Sequence, residues 1–170
     1  MRRIVVVAVL LLTGALSDCG GSSSTPSNSG TNPSSPTPTL PTGVTAADLA
    51  FCVQETNRYR AMVGDRSVTE SAALEAYAAD GARIDATAQT SHLHFTSTNG
   101  GGVAIAENEI PWWPLASFGT VQAVMQQGLA AMLAEGPSGI HYRNLVGPYT
   151  ETGCGVYLAN GEVTVAQDFR

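Results

Sequence analysis

The chain holds three histidines, His92, His94 and His141, and each lies within reach along the sequence of a glutamate-bearing stretch. His92-Leu93-His94 would put two imidazoles on one face of an extended segment. Ala106-Glu107-Asn108-Glu109 follows, and Met132-Leu133-Ala134-Glu135 leads on to His141-Tyr142-Arg143-Asn144. A neutral imidazole binds zinc through one ring nitrogen, and a nearby carboxylate either ligates the ion or orients the ring from behind. His92 or His94 with His141 could therefore hold a divalent metal such as zinc, with Glu107 and Glu135 as bases or hydrogen-bonding props. The same groups could equally lock two loops together through His–Glu hydrogen bonds, with no cofactor required.

Other chemistry is sparse. Cys52 and Cys154 are not next to a histidine, so no nucleophile constellation is visible. Gly100-Gly101-Gly102 lacks the lysine and helix start of a phosphate-cradling loop. Pro111-Trp112-Trp113-Pro114 carries both tryptophans of the chain. Between prolines these rings could form an apolar lip for a ligand, or plug a gap above the glycine-rich stretch.

The elements that must position these groups begin near residue 45. Thr45-Ala46-Ala47-Asp48 has capping-box spacing, and Leu49, Cys52, Val53, Thr56 and Tyr59 continue at helical spacing toward Gly64. Ser67-Val68-Thr69-Glu70 signals the start of a second helix, carrying Leu74, Tyr77, Ala78 and Ile84 among many alanines. Residues 90–117 read as irregular and glycine-rich. From Thr120 an apolar stripe of Val121, Val124, Met125, Gly128, Leu129, Met132 and Leu133 marks the clearest helix. Residues 153–159 and 162–169 read as two strands joined by Asn160-Gly161, a strong two-residue hairpin signal. Helices followed by a C-terminal antiparallel hairpin predict an α+β domain, and a three-layer sandwich if helices cover both sheet faces.

The segment before residue 45 reads differently. Met1-Arg2-Arg3 and the apolar run from Ile4 to Leu12 have the form of a secretory signal, too short for a stable membrane span. Leu16-Ser17-Asp18-Cys19 resembles a lipobox, with Asp18 where a small residue is usual; residues 1–18 would be a lipoprotein signal and Cys19 the lipidated residue. Residues 19–44 are almost wholly Ser, Thr, Pro, Gly and Asn, the composition of a disordered tether. The remaining 126 residues, 45–170, suffice for one domain with a core of its own. The net charge is −6, and lysine is absent. Such a chain offers no basic stripe for nucleic acid and no patch for an anionic bilayer, which leaves the lipid anchor as its membrane contact.

The ordered motifs Ser91-His92-Leu93-His94, Ala106-Glu107-Asn108, Met132 to Glu135, His141 to Asn144, Gly153-Cys154-Gly155 and Gln167-Asp168-Phe169 resemble those of the CAP superfamily. This group spans the SCP-like, cysteine-rich secretory, antigen 5 and pathogenesis-related proteins. Ala106 stands where the family has Gly, and Met132 where it has Trp. The resemblance implies an extracellular three-layer αβα sandwich of CAP/SCP type. A cleft tetrad would be formed by Glu107, Glu135, His141 and one of His92 or His94. In that sandwich Cys52 and Cys154 would form a disulfide or, alternatively, pack as buried thiols. The family also implies a binding module for a lipid, a sterol-like molecule or a cell-envelope component, in preference to an enzyme. A metal-dependent envelope hydrolase and a ligand-free adhesion module are the alternatives.

Overall fold

The structure, a computed structural model, describes residues 40–170. The signal-like segment, Cys19 and most of the tether lie outside them. Ahead of the first helix, Leu40 packs against the core and Val44 is buried.

Helix α1 (Ala46–Met62) opens with a complete capping box between Thr45 and Asp48 and ends before Gly64, which takes a positive φ. Strand β1 (Thr69–Glu70) and helix α2 (Ala72–Ala88) come next. The expected helix start at Ser67–Glu70 is thus corrected: Thr69 and Glu70 pair in parallel with Glu151 and Thr152, and Ser71 occupies the N-cap position. The short helix α3 (Leu93–Thr98) leads through a 3-10 turn, Asn99–Gly102, to strand β2 (Ala106–Pro114) and helix α4 (Leu115–Phe118). The stretch read as irregular therefore contains a nine-residue strand. Helix α5 (Val121–Ala134) buries the expected stripe except Leu133, which is half-buried against the core, and helix α6 (Ile140–Leu145) follows. Strands β3 (Glu151–Ala159) and β4 (Glu162–Phe169) form the C-terminal antiparallel hairpin. Its turn residues Asn160 and Gly161 both have positive φ, as a type I′ turn requires.

The sheet order is β1-β3-β4-β2, which leaves β2 at an edge. Helices cover both faces, giving a three-layer αβα domain. On one face α1 and α5 enclose Leu49, Met125, Leu129, Val156, Val163 and Val165. On the other, α2 lies on β3 and β4 through Ala78, Ala82 and Ala166. Because strand side chains alternate, Cys154 points to the α1 face while Gly153 and Gly155 point to α2. Cys52 and Cys154 are joined by a disulfide, with Cα atoms 6.4 Å apart. The flanking glycines admit α2, not the cysteine-bearing helix: a Cβ at Gly155 would strike the backbone of Ala78 and Ala79.

Candidate functional site

Strand β2 organises the site from the sheet edge, using alternate residues on its two faces. Glu107 and Glu109 face the α2 side, and Asn108 faces the α1 side. The Glu107 carboxylate lies 2.7 Å from His92 Nδ1, and Glu109 accepts a 2.8 Å hydrogen bond from the His92 backbone N–H. Asp85 of α2 accepts another from the His94 N–H, at 2.8 Å. Buried carboxylates thus occupy the exposed donors at the start of α3. They hold His92 at φ +58, a left-handed conformation rather than the extended one expected for His-x-His. The two rings part company there. His92 turns to Glu107, while the His94 ring packs on Tyr77 with centroids 4.6 Å apart.

On the opposite face an amide relay fixes the segment bearing His141. Thr56 Oγ1 accepts from Gln167 Nε2 at 2.6 Å, and Gln167 Oε1 accepts from Asn108 Nδ2 at 3.3 Å. Asn108 Nδ2 also donates to the His141 carbonyl, at 3.2 Å. Asn144 Nδ2 donates to the Glu107 carbonyl at 2.9 Å and to Asn108 Oδ1 at 3.1 Å. Glu135 caps the end of α5, and its Oε1 lies 2.5 Å from His141 Nδ1. A side chain on Gly139 would strike Glu135, so a glycine at this turn lets the pair form.

The two His–Glu pairs meet at one opening. His92, Glu107, His141 and Asn144 line a cleft of about 320 Å³, whose walls include Ile105 and Ile140. Glu135 stands behind His141 and does not line it. Each histidine turns Nδ1 to its carboxylate, and among the described residues no group bonds either Nε2. Two imidazole nitrogens are thus the donors available to a zinc ion. No set of three His, Cys, Asp or Glu side chains among the described residues is placed to hold a metal. Trp112 and Trp113 do not border the cleft. They sit at the other end of β2, Trp112 beside Tyr157 and Trp113 stacked on Phe118 at 5.3 Å. The two rings therefore form no common lip.

Electrostatically the site is a pair of imidazoles backed by acids. The hydrogen bond to Glu107 raises the His92 pKa, stabilising its imidazolium. Burial raises Glu107, against the pull of His92. Burial likewise lifts Glu109 to about 7 and raises Asp85. The hydrogen bond from His141 lowers Glu135. Asp168, directly opposite Glu107 across β2 and β4, is fully buried with neither carboxylate oxygen partnered. Burial, reinforced by Glu107 and Asp85, pushes it up to about 9.

Asp168 therefore carries a proton when folded that the unfolded chain loses near pH 4. The stability this proton confers is complete below that value and is lost as pH rises toward about 9. Asp168→Asn mimics the protonated acid. It is expected to flatten the fall of unfolding free energy between about pH 6 and 9 and to stabilise the alkaline end by about 2 kcal/mol. Urea denaturation across that range measures it, and an unchanged slope in the variant would refute the assignment.

A three-layer αβα domain with two His–Glu pairs around an edge cleft is a defined class. The model of CAP, the cysteine-rich secretory protein family, matches residues 53–169, and the chain belongs to this family. Among solved structures it is similar to the hookworm platelet inhibitor, at 14% identity and TM-score 0.56, covering 78% of this chain and 73% of that one. It is also similar to a cysteine-rich secretory protein of Staphylococcus aureus, at 15% identity and TM-score 0.48, covering 76% of this chain. The chain spans 40% of the length of that staphylococcal protein. Among curated proteins none matches the sequence significantly.

Proposed function

We propose that the protein is exported, is held at an envelope membrane through a lipid on Cys19, and binds a small apolar ligand or envelope component in the His/Glu cleft. One observation carries the cleft reading. Four large apolar side chains are exposed among the described residues, and two of them, Ile105 at 68% and Ile140 at 60%, flank this opening. Exposed aliphatic groups around a polar floor suit a ligand with an apolar body and a hydrogen-bonding head. The Nε2 atoms of His92 and His141 and the amide of Asn144 would meet that head. The signal-like start, the tether composition and the disulfide support export.

A dansylated fatty acid titrated into the full-length protein should show saturable emission enhancement. The double variant Ile105→Asp/Ile140→Asp should bind it at least about tenfold more weakly, since each isoleucine loses burial against the chain. Equal affinity in the variant would remove the cleft as the site. Radiolabelled palmitate should enter the exported protein and be lost with Cys19→Ser; a mature N-terminus elsewhere, unlabelled, would remove the anchor.

A further inference from the structure

A second opening lies on the α2 side of the sheet, at the hairpin end. Glu107 and Trp112 lie five positions apart along β2, roughly 16 Å of strand. There a groove of about 460 Å³ runs between the end of α2 and the β3–β4 hairpin. It shares six lining residues, among them Gln89, Tyr157, Asn160 and Glu162, with an inner cavity of about 20 Å³ that Trp112 and Thr164 complete.

Trp112 is the unusual member. Gln89 and Asn160 also have positive φ, but each occupies a place that calls for it, a helix C-cap and a type I′ turn. Trp112 has φ +50 inside a strand, where its pairing with β4 slips between Ile110 and Trp113. A bulky residue in that region is strained, and a bulge of this kind re-aims a side chain. Its indole Nε1 is also shut off from solvent with no hydrogen-bond partner. Both costs fall on one side chain that walls a cavity.

We infer that this groove is a binding site for a neutral saccharide ring. The lining residues select that chemistry. The orphaned indole N–H calls for an acceptor, and the Glu162 carboxylate calls for a donor. Tyr157 presents aromatic surface to the groove for ring C–H groups, while Trp112 walls only the inner cavity. A saccharide ring supplies all three. An anion would meet Glu162 with no Arg or His among the lining residues to balance it. An alkyl chain would leave Glu162, Asn160 and the indole N–H unsatisfied. An ammonium group offers the indole no acceptor. The inner cavity has room for one hydroxyl, and the groove for the ring and its neighbour in a chain.

The test uses the full-length protein carrying Trp113→Phe, which leaves Trp112 as its one tryptophan. Maltotriose, cellotriose and chitotriose are titrated separately, with Trp112 emission as the readout. At least one should produce a saturable shift. Calorimetry with that sugar in the otherwise native chain should show about tenfold weaker binding for Glu162→Gln and for Trp112→Phe, each deleting one hydrogen bond to the ligand. Ile105→Asp/Ile140→Asp should bind it normally, which keeps this result separate from the fate of the cleft reading. Three outcomes overturn the inference. One is no saturation by about 20 mM of any sugar, where even a millimolar site is filled. Another is sugar binding that the cleft variant abolishes and Glu162→Gln spares. The third is choline binding that Glu162→Gln weakens while the sugars do not bind, which would mark an ammonium site.

Discussion

Gly155→Ala is expected to cost about 3 kcal/mol or more of folding stability, enough to leave much of the domain unfolded at moderate temperature. The added Cβ would point at the backbone of Ala78 and Ala79, which cannot rotate away as a side-chain tip can. Relief requires lifting α2 from β3, and that contact cannot be lifted at one point. Leu74, Ala78 and Ala82, four residues apart and fully buried, form the stripe by which α2 lies on the sheet. Gly153 makes the same demand one pleat earlier, where a Cβ would come within 2.7 Å of Leu74 Cβ. Asp85 rides on the same helix and holds the His94 N–H, so displacement should loosen the His92 loop as well. Urea denaturation of wild type and variant decides the matter. A variant with the wild-type midpoint would show that α2 is not seated on bare backbone.

The parts of this architecture that were legible in the sequence are those whose cause is local. The Thr45–Asp48 box, the α5 stripe and the Asn160-Gly161 turn each depend on residues within a few positions of one another. Strand β2 was not legible, because its definition lies in its partner. Glu107, Asn108 and Glu109 look like a polar loop until β4 is set beside them, and Pro111, the tryptophan pair and Pro114 interrupt any simple alternation. Ser67–Glu70 misled for the same reason: a helix-start spacing was overruled by pairing with residues 151 and 152, some eighty positions away.

The motifs named His92, Glu107, Glu135 and His141, of which Glu135 stands behind the cleft and not in its lining, and the groups that hold them were only partly visible. Asn108, Asn144 and Gln167 lay within the quoted motifs, yet nothing in their spacing showed that they join into one relay. Asp85, Glu109 and Asp168 come from three elements and meet only in the folded chain. The one available hint was Glu107 and Glu109 two residues apart, which share a face once β2 is recognised as a strand. The expectation for His92 and His94 failed on a single dihedral. With His92 in the left-handed region and His94 in the first turn of α3, the side chains diverge, and the carboxylates of β2 and α2 decide which ring faces the cleft.

Removing the Cys52–Cys154 bridge should have the largest effect of any change that leaves the native packing in place. The two cysteines are 102 residues apart and both buried in the larger core cluster. Closing a loop of that length restricts the unfolded chain, for which chain-entropy reasoning gives roughly 4–5 kcal/mol. Cys52→Ala/Cys154→Ala also opens a small void in the core cluster that the bridge shares with Leu49 and Met125, so the loss should be no smaller than about 4 kcal/mol. The mechanism has its own signature. A released unfolded chain expands, so the dependence of unfolding free energy on urea should become steeper in the double variant, not merely shifted. If the two thiols mattered only as packing groups, the midpoint would fall with an unchanged slope. Alkylation of the protein expressed from its full sequence, under denaturing, non-reducing conditions, provides the direct check. No thiol of this pair should react, and two modified thiols per chain would rule the bridge out.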